Sequence, residues 1–308
     1  MTFPARLFNT LLAAKTLLHG QLQSRCRGIG REPAAMRHND RDLGQFFTPR
    51  PVVDFALDCL ADLGAEIRGA SVVDPACGPG EWLAAALDRG AVNAVGVDCD
   101  PTLTGAWDAA GLSGMPQCSM SVADGLLTEA PEEASFDCVL GNPPFGTGLH
   151  ATDEETLRSI AERYHHFGPS ESPTAVRLRR LATYPTELLF LERFISLCRP
   201  GGWIAIVLPE GALSNARWRS LRRNLLAQVT AHVIVALPRT AFRSQATSAR
   251  TCLLVMQRTV PAPASQVVLA EADACTPEAL AAVLAAISSE DAPSVEAPEG
   301  LLPPPLQR

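Results

Sequence analysis

Short runs of branched apolar residues recur along the chain, separated by stretches in which apolar positions return every three or four residues. The short runs cover residues 71–74, 94–97, 120–122, 136–140, 203–208, 232–237 and 251–256. Most are closed on at least one side by Gly, Pro, Asp or Asn, as expected of buried strands ended by turns. Between them, Val53, Ala56, Leu57 and Leu60 share one helical face, with Pro51 suited to the first turn and Gly64 to the stop. Helices are also expected over 81–89, from Pro101, over 152–166, 187–198 and 277–287, with Leu157, Ile160, Ala161 and Tyr164 on one face of the third of these. Alternating strands and helices predict an α/β fold: a doubly wound, mostly parallel seven-stranded sheet covered on both faces.

The same pattern divides the chain. Residues 1–42 read as a helical leader, 43–260 as the main domain and 261–289 as a small appendage. Residues 290–308, rich in Pro, Glu and Ser, read as a disordered tail. The apolar run from Leu11 to Leu18 is broken by Lys15, which favours an amphipathic helix over a signal peptide. No apolar run reaches membrane-spanning length.

Composition narrows the function classes. Of 308 residues, 47% are apolar and the net charge is −7, so no global basic field draws nucleic acid; contact with it must come from local clusters or a partner. The nine cysteines are scattered, with no C-x-x-C pair and no zinc spacing, so reduced thiols and a cytoplasmic setting are expected, without metal. His165 and His166 are adjacent and point to different helix faces, which argues against a metal site.

Candidate chemistry collects at strand ends. Ser71 to Asp74 leads into Pro75-Ala76-Cys77-Gly78-Pro79-Gly80, a strand, glycine-rich turn and helix start of the nucleotide-binding kind. The turn is not G-x-G-x-x-G and no Walker lysine follows, which weakens dinucleotide and ATP readings. Asp98 ends the next strand, about 20 residues on, where an acid can accept both ribose hydroxyls; Asp100 reads as a solvated acid. Asp124 ends the third strand and can accept from an adenine amine, or cap a plain turn. Asn142-Pro143-Pro144-Phe145 ends the fourth. An amide, carbonyls held by rigid prolines and an exposed aromatic suit a flat, hydrogen-bonding ring, though such dipeptides also mark ordinary turns. Upstream, Thr48 and a helix start offer a seat for a carboxylate, and one of Phe46 and Phe47 reads as core. Arg217, Arg219, Arg222 and Arg223 read as a solvated helix face that can also meet phosphate.

Asp74 to Gly80 together with Asn142 to Phe145 resembles the paired signature of S-adenosylmethionine-dependent adenine-N6 DNA methyltransferases. Gly44-Gln45-Phe46-Phe47-Thr48-Pro49 narrows the resemblance to the methylation subunits of type I restriction-modification systems and their stand-alone relatives. It spans roughly residues 43–258, with Arg199-Pro200-Gly201-Gly202 and Val207-Leu208-Pro209 in the same order, and co-occurrence makes it more specific than any one piece.

The resemblance implies the class I methyltransferase, Rossmann-like form of the sheet. It implies that Gln45, Phe46, Phe47, Thr48 and Pro49, with Asp74, Pro75, Ala76, Gly78 and Gly80, hold the methionine part of S-adenosylmethionine. Asp98 would take the ribose and Asp124 the cofactor adenine. Asn142 and Pro143 would accept from the target amino group, beside Pro144, with Phe145 stacking on the base. Pro79 stands where relatives carry a small hydroxyl residue. No target-recognition domain is evident, so beside DNA as partner either a separate specificity subunit or relaxed specificity is expected. Glutamine methyltransferases of release factors carry a similar turn, usually with tyrosine, and RNA adenine methyltransferases share it; a non-catalytic subunit of the same fold is a further alternative.

Overall fold

The computed structural model describes residues 47–145, 154–164, 178, 181–242, 250–262, 265–289 and 292–296. Gln45, Phe46, the leader, Thr152, His165 and His166 lie outside the described residues. Helix α1 spans Arg50–Asp62, followed by β1 (Ser71–Asp74), α2 (Glu81–Asp88), β2 (Asn93–Asp98), α3 (Thr104–Ala109), β3 (Cys118–Val122) and β4 (Phe136–Gly141). Then come α4 (Glu154–Arg163), α5 (Thr186–Leu197), β5 (Cys198–Pro209), α6 (Glu210–Ser214), α7 (Arg219–Leu226), β6 (Thr230–Ala236), β7 (Thr251–Gln257), β8 (Gln266–Glu271), α8 (Pro277–Ile287) and β9 (Ser294–Glu296).

One sheet carries them in the order β3-β2-β1-β4-β5-β7-β6-β8-β9. Strands β1 to β5 pair in parallel, and β7 runs antiparallel between β5 and β6. The seven strands expected from the sequence form the body of this sheet. Strand β8 then adds parallel to β6, and β9 antiparallel to β8. The stretch read as a small appendage therefore extends the sheet, and residues 294–296 form a strand where a disordered tail was expected. Val267, on β8, is fully buried, which gives this edge an apolar anchor despite the polar tail composition.

The strands sort their side chains by alternation. Val73, Val139, Ile204, Ile206 and Leu254 enter one apolar cluster with α5 and α7; Val72, Leu140, Ala205, Val207 and Leu253 enter another with α1 and α2. A sheet dry on both faces explains why its central strands read as unbroken apolar runs. Strand order reverses between β1 and β4, which pair Val72 with Cys138 and Val73 with Val139. Ligands of open α/β sheets bind outside the carboxyl ends of strands at such a reversal. Here those ends are Asp74 and Gly141.

Candidate active site

The loop after β1 is tied down from several sides. Asp74 is 1% exposed, and its Oδ1 accepts from the Ala76 N–H at 3.0 Å. The Cys77 N–H donates to Val97 O at 2.9 Å, joining the loop to β2. Asp98 Oδ2 accepts from the Gly78 N–H at 2.8 Å, and its Oδ1 accepts from the Asp100 N–H at 3.0 Å. On the other side of Gly78, Trp107 Nε1 donates to the carbonyl at 2.7 Å. Asp98 is thus a brace of the loop as well as a candidate ribose acceptor, since each carboxylate oxygen has a second lone pair. Asp100 is buried rather than solvated: its Oδ1 accepts from the Thr102 N–H and hydroxyl at 2.9 and 2.7 Å, capping the turn that opens at Pro101.

The chain before α1 covers this loop. Phe47 lies against Gly78 and remains 37% exposed, so it is not the core aromatic of its pair. Thr48 is buried, and its Oγ1 accepts from Trp82 Nε1 at 3.3 Å, a partner on α2 rather than an outside carboxylate. Arg50 links α1 to α2 through Glu81 and Asp88 at 3.5 and 2.8 Å, and Arg89 returns to Asp54 and Asp58 at 2.7 and 2.9 Å.

Phe47, Thr48, Asp74, Ala76, Gly78 and Asn142 line one shallow cleft. Residues of the glycine loop and Asn142 thus line a common cleft. Pro49, Pro75, Gly80, Asp98, Asp124 and Phe145 do not line it. Gly141 makes the approach of the two strand ends possible. A Cβ there would stand 2.5 Å from Asp74 Oδ1, at a φ of +154° that side chains rarely adopt.

Asp124 is exposed, and its Oδ1 accepts from the Leu126 N–H at 2.8 Å, so it caps the turn after β3. It lies near Cys99, whose thiol is pushed up to about 11 by partial burial and then by Asp98 and Asp124. The turn presses against the glycine loop: a Cβ on Gly125 would fall 1.8 Å from Pro75 O.

Phe145 corrects the sequence reading. It is 2% exposed and packs edge-on against Phe242, ring centroids 6.4 Å apart at 79°. An apolar ring just past β4 has a dry neighbour in the turn after β6, which holds it off the surface. The arginine group also divides. Arg222 is 5% exposed, with Nη1 donating to Ala212 O and Asn215 O at 3.0 and 3.2 Å, and Arg217 lies over the Trp218 ring at 4.6 Å. Arg222 is therefore a brace for α6 rather than a phosphate contact.

Electrostatics suit a cationic ligand. Burial, with a smaller push from Asp98, raises the Asp74 carboxyl well above its usual range; burial also raises Asp98. Asp74 Oδ2 is buried with no hydrogen-bond partner among the described residues. Such an atom costs about 1–3 kcal/mol unless something donates to it. An amine or sulfonium beside it would relieve both the missing bond and the crowding of acids. S-adenosylmethionine carries both groups, so the residues present fit it. Among the described residues no cluster of His, Cys, Asp and Glu could hold a metal ion, and no helix is long and apolar enough to cross a membrane.

Comparison with known proteins decides the family. The model of the N-6 DNA methylase family matches residues 34–105 and 109–283. The chain belongs to the N-6 DNA methylase family. It is 31% identical over 196 residues to the type II methyltransferase M.TthHB8I of Thermus thermophilus, covering 61% of this chain and 39% of that one. It is 29% identical over 205 residues to the methylase subunit of the type I restriction enzyme EcoEI of Escherichia coli, covering 65% and 39%. The chain thus spans 39% of the length of each of these relatives. A structure from Listeria monocytogenes assigned to the class I S-adenosylmethionine-dependent methyltransferases shares the fold. Its TM-score is 0.60 at 21% identity, covering 92% of this chain and 77% of that one.

Several of these positions were not visible as site residues in the sequence. Nothing in the sequence singled out Trp82, Trp107 or Phe242. Gly141, directly before the Asn-Pro-Pro-Phe turn, is the one whose place could have signalled its role.

Proposed function

We propose that this chain transfers a methyl group from S-adenosylmethionine to the N6 amino group of adenine in DNA. The observation that carries the reading is the shared cleft of Asp74 and Asn142 at the reversal of strand order, in a chain of the N-6 DNA methylase family. The cofactor supplies an electrophilic methyl on a positively charged sulfur. The rest falls to residues of this chain.

Asp74 Oδ2 accepts from the cofactor's amino group, with Phe47, Thr48 and the loop from Pro75 to Gly80 around the methionine part. Asp98 receives the ribose hydroxyls on the lone pairs its backbone donors leave over, and Asp124 the exocyclic amine of the cofactor's adenine. Asn142 Oδ1 and the Pro143 carbonyl accept the two hydrogens of the target amine. An adenine amine lends its lone pair to the ring and is a poor nucleophile; holding both hydrogens outside the ring plane returns that pair to nitrogen. With the amine aligned on the methyl carbon, positioning does most of the work and no covalent intermediate with the chain is needed. The target base leaves its stack at a cost of roughly a few kcal/mol; Phe145, buried against Phe242, supports the turn that carries Asn142 and Pro143.

Target selection is assigned to a separate specificity subunit. The net charge of −7 leaves the chain without a general attraction for DNA, and one matched relative is a subunit of a type I restriction enzyme. The test is to incubate the chain, with DNA, RNA and protein from the same cells and with the products of its neighbouring genes, in S-adenosylmethionine labelled at the methyl. Label in DNA as N6-methyladenine is expected. Label in RNA or on protein glutamine would overturn the reading, and failure to bind the cofactor at millimolar concentration would make the chain a scaffold.

A further inference from the structure

Arg193, on α5, is wholly buried. Its Nε donates to Gly125 O at 3.1 Å and its Nη1 to Glu133 Oε1 at 3.1 Å. Its Nη2 donates to Thr128 O and Pro131 O at 3.1 and 3.3 Å. All four acceptors lie on one segment, the connection from β3 to β4 that opens at Asp124. Two neighbours on and just after α4 grip the same segment. The Tyr164 hydroxyl donates to Leu126 O at 2.6 Å, and Arg163 Nη1 donates to Leu127 O and Thr128 O at 2.7 and 2.8 Å. Leu126 is also the residue whose N–H fixes Asp124 Oδ1 at 2.8 Å.

A guanidinium is costly to take out of water, and an apolar side chain of similar volume would fill the space at less cost. What it gives is geometry: a rigid planar fork that sets several carbonyls of one loop at once. The loop so set has one exposed acid at its head and leans on the glycine loop through Gly125.

We propose that Arg193 is a positioning residue: by holding the 125–133 segment it fixes Asp124 for reading the exocyclic amine of the cofactor's purine, and so sets selectivity for adenine over a purine lacking that amine. Tyr164 is a weaker member of the same brace. This rests on the assignment of Asp124 made above.

The experiment is calorimetric binding of S-adenosylhomocysteine and of its deaminated analogue, S-inosylhomocysteine, to the full chain and to its Arg193→Lys and Tyr164→Phe variants. Melting temperatures are recorded alongside. The unaltered chain is expected to favour the adenine compound by about tenfold, the worth of one good hydrogen bond. Arg193→Lys should bring that ratio close to one, and Tyr164→Phe should lower it about twofold to threefold, a change that lost stability alone would not produce. If Arg193→Lys does not fold, the Tyr164→Phe ratio decides. An unaltered chain that discriminates, with variants that discriminate equally well, overturns the role of Arg193. An unaltered chain that binds both compounds alike, or neither, overturns the assignment of Asp124 instead, and the proposal with it.

Discussion

Asp74 Oδ1 lies 2.5 Å from the point where a Cβ on Gly141 would sit, so the carboxylate ending β1 occupies the space a side chain at the end of β4 would need. That relationship joins the two halves of the cleft. It holds the loop that would carry the cofactor against the turn that would carry the target base.

Gly141→Ala is therefore expected to separate the halves. Overpacking and the unfavourable φ together should cost about 1–3 kcal/mol. A shift of the strand ends by an ångström should lower transfer by about a hundredfold. Melting temperature and methyl transfer read the two effects; a variant with native activity would show that close approach is not required.

Asp74→Asn should part stability from binding. A carboxyl whose folded pKa is raised binds its proton more tightly folded than unfolded. Its contribution to stability therefore falls as pH rises from the unfolded value through the folded one, and stays unfavourable above it. At neutral pH the ligand-free asparagine variant should melt higher than the unaltered chain. It should also bind S-adenosylhomocysteine about tenfold or more weakly, having lost the charged acceptor. In the unaltered chain, affinity should weaken as pH falls through the range where Asp74 gains its proton. The variant should retain only the part of that dependence due to Asp98. Equal pH profiles in calorimetry would remove Asp74 from the site.

Phe145→Leu keeps an apolar side chain against Phe242 but loses the edge-on ring contact that seats the turn carrying Asn142 and Pro143. Transfer is expected to fall while cofactor binding is unchanged, and the stability cost should stay below the roughly 3–5 kcal/mol of Phe145→Ala. A variant equally impaired in cofactor binding would make Phe145 a structural support of the loop alone.

Gly125→Ala tests the contact between the turn after β3 and the glycine loop. Its Cβ would fall 1.8 Å from a backbone oxygen, so the turn must move. Weaker binding of S-adenosylhomocysteine is expected, with a loss of stability of about 1–3 kcal/mol or more as the Gly125 carbonyl shifts from Arg193; unchanged binding would detach the Asp124 turn from the cofactor.

Much of this was legible from the chain alone, for physical reasons. Val72-Val73-Asp74 and Val139-Leu140-Gly141 read correctly because strands buried on both faces leave continuous apolar runs. The turn from Pro75 to Gly80, between a strand and a helix, read correctly because clustered Pro and Gly punctuate both. Phe145 was misjudged because nothing local tells that Phe242, far along the chain, fills its edge. Arg193 was invisible: it sits in an apolar helix, and three of its four acceptors are backbone carbonyls 62 to 68 residues earlier, groups every sequence has. Strand β9 escaped because a short edge strand takes its pairing from β8 rather than from its own composition.

The central claim is that Asn142 acts on the target amine and not on the cofactor. It is tested most directly by expressing the chain and its Asn142→Ala variant with their neighbouring genes, then quantifying N6-methyladenine in the cellular DNA while titrating each purified chain with S-adenosylhomocysteine. The account predicts modified adenine with the unaltered chain, a loss of about a hundredfold or more in the variant, and equal affinity of the two for the ligand. Undiminished N6-methyladenine in the variant, or a variant that no longer binds the ligand, would contradict it.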